Sequence, residues 1–193
     1  ALSTDGFSYI YTRPKNVGVD VVSTSFTTKK DTVVFSHPLS EWVLDPGNKA
    51  LNLTTRPSGL VIGYSYNIDI ASTAYSKILS GLGLTQKTSS DGLYKLYSTL
   101  VNSQPNLFIT DTKNGNIYTT GLKTLSEKCV YITGIYYCAV PNNATANTYP
   151  DAWYQGSVSF NDSLWSIDPK NKKMTFIDEL QGNEGPIDAI KLQ

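Results

Sequence analysis

The chain has 193 residues, enough for one large core or two small ones. Sixteen Lys plus Arg balance sixteen Asp plus Glu, which argues against a nucleic-acid binder and removes the polybasic route to a membrane surface. Thirteen Tyr and a single Met favour strands over helices, and no apolar run approaches the roughly 18 residues that span a bilayer. Because the chain opens on Ala1 rather than Met, processing or excision from a longer protein is expected. A membrane contact would then come only through a segment absent from this chain.

The first predicted element is a turn leading into a strand, Ser3-Thr4-Asp5-Gly6 before Phe7-Ser8-Tyr9-Ile10-Tyr11. The same pattern returns at Ser89-Ser90-Asp91-Gly92 before Leu93-Tyr94-Lys95-Leu96-Tyr97, 86 positions later, which is twice 43. Gly47, in Asp45-Pro46-Gly47-Asn48, and Gly134, in Ile132-Thr133-Gly134-Ile135, complete a series with intervals of 41, 45 and 42. Each glycine precedes a run of strand composition, as expected of turns that need positive φ.

A second element recurs further along. Tyr66-Asn67-Ile68-Asp69, Phe108-Ile109-Thr110-Asp111 and Trp165-Ser166-Ile167-Asp168 place an aromatic three residues before an aspartate, with Tyr75, Ile117 and Met174 six residues after it. This reads as strand, aspartate-capped turn, strand. Asp69 and Asp111 are 42 apart and Asp111 and Asp168 are 57 apart; an insertion between Pro141 and Gly156 accounts for the excess of 15.

A period near 43 with about four strands per unit predicts an all-β fold of β-propeller blades. The units fall at about 1–40, 41–83, 84–126 and 127–182, followed by a closing strand at 186–192. The phase implies that the first unit lacks its first strand. Four units either close a small ring or form part of a larger one, and a β-sandwich with coincidental spacing is the competing architecture.

Cys129 and Cys138 flank Thr133-Gly134. With those two residues at the tip of a hairpin, Ile132 faces Ile135, Tyr131 faces Tyr136, Val130 faces Tyr137 and Cys129 faces Cys138. The cysteines then form a non-hydrogen-bonded pair, close enough for a disulfide. Two reduced cysteines packed as small apolar residues are the alternative; the disulfide is preferred, and with it an extracytoplasmic setting.

Signals for catalysis are sparse. His37, in Phe35-Ser36-His37-Pro38, is the sole histidine and reads as a turn residue rather than a catalytic base. No phosphate-binding glycine loop or dinucleotide fingerprint is present. Asp178-Glu179 would need a second convergent carboxylate to act on a glycoside. Asp111, Asp162 and Asp168 lack the calcium-loop pattern. No metal or other cofactor is expected.

The most distinctive stretch is the insertion from Pro141 to Gly156. Long loops in compact domains are often functional. Tyr149, Trp153 and Tyr154 offer flat faces to a sugar or a partner surface, and Asp151 and Gln155 offer polar groups. The plainer reading, placed ahead, has these aromatics folding back over the next blade.

Lys128-Cys129-Val130, Tyr137-Cys138-Ala139-Val140-Pro141, Tyr149-Pro150-Asp151, Trp153-Tyr154-Gln155-Gly156, Phe160 and Leu164-Trp165-Ser166-Ile167-Asp168 form a pattern. Pro38-Leu39-Ser40-Glu41-Trp42, Thr54-Thr55-Arg56-Pro57-Ser58 and Gly63-Tyr64-Ser65-Tyr66 extend it toward the N-terminus. Over roughly residues 35–192 the chain resembles uncharacterised bacterial proteins of candidate phyla that are themselves similar to TolB-type or WD40-like propellers. The resemblance implies a longer protein, often with an N-terminal membrane anchor, continuing past Leu192. It transfers no activity and no catalytic residue. A non-enzymatic binding or scaffolding propeller of the bacterial cell envelope is therefore expected, with a protein or glycan partner. A carbohydrate-acting enzyme, or a structural subunit that completes a ring by edge pairing, are the alternatives.

Overall fold

The computed structural model describes residues 1–3, 6–47, 50–145, 147–190 and 192. Thr4, Asp5, Asn48, Ala146 and Lys191, which belong to the predicted turns, insertion and last strand, lie outside the described residues. The chain folds into successive antiparallel sheets in which each strand pairs with its neighbour in sequence. The first has three strands, β1 (Ser8–Pro14), β2 (Val19–Ser25) and β3 (Asp31–His37). The second has four, β4 (Trp42–Pro46), β5 (Ala50–Thr55), β6 (Ile62–Asp69) and β7 (Tyr75–Leu82). The third contains β8 (Thr85–Thr88), β9 (Tyr94–Val101), β10 (Gln104–Asp111) and β11 (Ile117–Thr119). The fourth contains β12 (Cys129–Ile132), β13 (Ile135–Pro141), β14 (Asp162–Asp168) and β15 (Lys173–Glu179). These are propeller blades, each a small sheet whose faces pack against the next.

Two of the four repeated glycines mark one recurring turn, whereas Gly47 is not at positive φ and Gly134 sits at φ +91° at the tip of the β12–β13 hairpin. Gly6 and Gly92 both sit at φ +72°, their amides bonded to the carbonyls of Ser3 and Ser89. The Oγ atoms of those serines accept from the amides of Ser8 and Tyr94. Each aspartate of the second repeat caps the hairpin that ends its blade: Oδ1 of Asp69, Asp111 and Asp168 accepts the amide of Ser72, Lys113 and Asn171 at 2.7, 2.9 and 3.0 Å. A β-bulge recurs between the last two strands of three blades, at Val21/Val22, Ser65/Tyr66 and Leu164/Trp165. Such bulges increase local twist.

The first sheet lacks a full leading strand. Residues 1–3 occupy that position as a stub, with Leu2 bridged to Tyr9 and the Ile10 amide on the Ala1 carbonyl.

Apolar cores fill the first and third seams. Ile10, Val21, Phe35, Leu51, Leu53 and Ile68 pack between the first two sheets. Leu96, Leu107, Ile109, Tyr136, Val140 and Ile167 pack between the last two. The middle seam carries a hydrogen-bonded polar layer: Lys95 donates to Asn52, Asn52 to Thr88, Thr88 to Asp45, and Ser65 to Gln86. The described residues do not bring the first sheet round to pack on the fourth. Tyr9, Phe26 and Val33 stay exposed on the first sheet. No helix among the described residues is long and apolar enough to cross a membrane.

Cys129 and Cys138 face each other in the anticipated register and are joined by a disulfide. Both are fully buried in the third seam. Replacing both with Ala is expected to lower stability by about 2–3 kcal/mol, the unfolded-chain entropy that so short a loop removes. Urea denaturation measures this directly.

The strand expected at 186–192 does not form among the described residues. Gln181–Gly182 (β16) and Gly185–Pro186 (β17) make a small hairpin, after which the chain leaves the ladder. Pro186 has no amide to donate. Ile187 bonds instead to Leu180 and Asp162, and Asp188 turns inward.

Candidate recognition site

The turns between the second and third strand positions of the blades share one end of the molecule. That end also holds the residues leading into the inner strands: Glu41 before β4, and Glu127 and Lys128 before β12. In the fourth blade this turn is the long connection from β13 to β14, closed at its neck by the Asn142 amide on the Asn161 carbonyl at 2.8 Å. It contains a single helical turn, α1 (Asp151–Tyr154).

The loop is fastened across two other blades. Gln104 Nε2 donates to the Ala144 carbonyl, and the Asn147 amide donates to the carbonyl of Ser103. Further on, Asp151 Oδ2 accepts the Gly59 amide at 2.5 Å and the Ser58 hydroxyl at 3.3 Å. Gly59 is required by this contact, since a Cβ there would lie 2.6 Å from the Tyr149 carbonyl oxygen. Gly59→Ala is therefore expected to lift the loop from the second blade while leaving the blades intact. Faster amide exchange confined to residues 147–158 is the signature.

The other flank of α1 is held by a buried ionic cluster. Lys128 Nζ, with a fully buried side chain, lies 2.7 Å from Asp162 Oδ2 and 2.8 Å from Asp188 Oδ1. The ammonium also sits 5.0 Å from the Trp153 ring centroid and 4.7 Å from that of Phe160. Asp188 accepts the Trp153 indole N–H at 3.0 Å and the Phe160 amide at 3.0 Å through Oδ2, and Asp162 accepts the Ala189 amide at 2.7 Å. Burial raises the Asp162 carboxyl above its ordinary range, with Lys128 opposing. For Asp188 burial also raises, but bonds from Lys128, Phe160 and Trp153 outweigh it and hold the group low.

Two hollows flank Tyr154. One, of about 570 Å³, is lined by Glu127, Trp153, Tyr154, Val158, Asp188 and Ile190. The other, about 360 Å³, lies between Glu41, Arg56, Ser58, Asp151, Tyr154 and Gln155. The Tyr154 hydroxyl donates to Glu127 Oε2 at 2.7 Å. Burial pushes the Glu127 carboxyl up, partly offset by this bond. Arg56 pairs with Glu41 at 3.0 Å.

The sequence-predicted residues divide by role. Tyr149 is wholly buried, its ring 5.6 Å from Phe160, and presents no face to a ligand. Asp151 is a tether that also edges the smaller hollow. Trp153 is part anchor and part wall, whereas Tyr154 and Gln155 are exposed. Glu127, Lys128, Asp188, Glu41 and Arg56 were not among the candidate site residues, although Lys128, Glu41 and Arg56 stand in the pattern that carries the resemblance; only the fold brings them beside the loop. His37 is the last residue of β3, paired with Val19, its Nδ1 accepting the Leu39 amide of the following turn while the ring stacks on Phe35. Asp162 faces an ammonium, Asp111 and Asp168 cap hairpins, and Asp178-Glu179 lies exposed on β15. Among the described residues there is no group of three or more His, Cys, Asp or Glu suited to a metal.

No protein-family pattern and no curated protein matches the chain in sequence. Solved structures match in fold. TolB from Acinetobacter baumannii aligns with a TM-score of 0.58 at 11% identity, over 97% of this chain and 45% of that one. The β-propeller domain of the Trilobed protease from Pyrococcus furiosus gives 0.60 at 11%, over 90% and 54%. An oligogalacturonate lyase solved in complex with manganese gives 0.55 at 13%, over 94% and 52%. The chain spans about half the length of these propellers.

Proposed function

We propose that this β-propeller chain is a binding module of the bacterial cell envelope that recognises a protein or glycan partner at the end covered by the fourth-blade loop. The observation that carries the reading is a loop fixed by bonds to two other blades and to the C-terminal segment, and flanked by two hollows. Binding without loss of loop entropy is what such preorganisation favours. The Cys129–Cys138 disulfide supports an oxidising compartment.

One observation favours an enzyme as a second reading: Glu127 and Asp188 line the same hollow, with opposite displacements of their proton affinity. Against it, both oxygens of Asp188 are engaged by Lys128, Trp153 and Phe160, which leaves Glu127 without a free second carboxylate. The experiment is capture from envelope extract by the immobilised chain. A partner lost on Tyr154→Ala and Gln155→Arg but kept on Lys172→Glu, which lies in the β14–β15 turn, is the expected result. Equal capture by all variants, or turnover of polysaccharides by the purified chain, contradicts the binding reading.

A further inference from the structure

We infer that the hollow beside α1 takes the cationic side chain of a partner protein, a lysine or arginine whose apolar stem lies along the cleft wall. This deepens the binding reading above and rests on it. The first support is charge. The chain as a whole is neutral, yet the charged residues among those described in the lining of this hollow are Glu127 and Asp188. Lys128 is fully buried behind Trp153 and Phe160 and is spent on Asp162 and Asp188. Arg56 points to Glu41, and Lys87 Nζ to the Cys129 carbonyl. Among the described residues the wall of the larger hollow carries two carboxylates and no cation, Lys87 acting on Glu127 only from outside that lining.

The second support is the chemistry of the remaining wall. Trp153 and Tyr154 supply aromatic faces, and Trp153 already attracts one ammonium from the inner side at 5.0 Å. Val158 and Ile190 supply apolar surface, which suits the methylene stem of lysine or arginine and not a small hydrated ion. The third is orientation. Tyr154 fixes Glu127 through Oε2, and no other donor reaches that carboxylate among the described residues, so its second oxygen is open to an incoming N–H. A cation there also offsets, by its charge, the desolvation that raises the Glu127 carboxyl.

The test is calorimetric titration of the intact chain with N-acetyl-argininamide and with its neutral isostere N-acetyl-citrullinamide. Saturable binding of the arginine probe is expected, at least about tenfold tighter than the citrulline probe and weakened about tenfold by Glu127→Gln, as for loss of one charge-assisted hydrogen bond. Gln keeps an acceptor for Tyr154, so an unchanged melting temperature shows that the fold survives. Equal affinity for both probes, or insensitivity to Glu127→Gln, overturns the cation assignment but leaves a binding module standing. Failure of both probes to bind overturns it too, while the capture experiment judges the binding reading separately.

Discussion

Lys128→Met is expected to lower folding stability by about 3–5 kcal/mol, the usual consequence of removing one partner from a buried ionic group. Lys128 is the ammonium against which both Asp162 and Asp188 are placed, and the Asp162 side chain is fully buried. Without it, two carboxylates remain close together with little water, and the Trp153 and Phe160 rings lose the cation they cover. Burial by itself does not demand a charge at this place. The triple variant Lys128→Met, Asp162→Asn, Asp188→Asn is accordingly expected to recover much of the loss, because the amides keep hydrogen-bonding capacity without the charge. Urea denaturation of the single and triple variants checks both statements. A single variant as stable as the parent would mean that the cluster does not hold the loop.

Trp153→Ala is expected to cost about 3 kcal/mol, at the lower edge of what truncating a buried aromatic costs. The ring is half-buried, contacts Phe160 and Tyr154, and donates its indole N–H to Asp188. Truncation removes that donor and uncovers Lys128. A clear fall in melting temperature follows. A residue serving only as a contact surface would leave the melting temperature unchanged, and that result would detach α1 from the core.

What the sequence disclosed was local. The turns at Gly6 and Gly92 share one serine and one positive-φ glycine, so a short pattern carries them. The cysteine register follows from counting outward from Thr133-Gly134, and the aspartate caps lie within three residues of the amides they accept. The length of the fourth-blade connection also marked it as unusual. The cluster beneath that connection had no such trace. Lys128 and Asp188 are separated by 60 positions, and neither stands in a recurring motif. The misread closing strand has the same origin: Ile187, Ala189, Ile190 and Leu192 make a strand-like composition, but Asp188 is drawn to Lys128 and pulls the segment off the ladder. Tyr149 was open to two readings, a flat face for a ligand or, placed ahead, an aromatic folded back over the next blade. Here the loop is packed over other blades, and its aromatic is inside.

The fourth-blade loop is a fixed part of the propeller end and not a flexible flap. Amide hydrogen exchange of the unliganded protein measures that. The amides of Tyr154, Gln155, Ser157 and Phe160, bonded to Pro150, Asp151, Ala152 and Asp188, are predicted to exchange as slowly as those of β13 and β14. Exchange of these four at the rate of an unstructured chain, with the strands still protected, would contradict it.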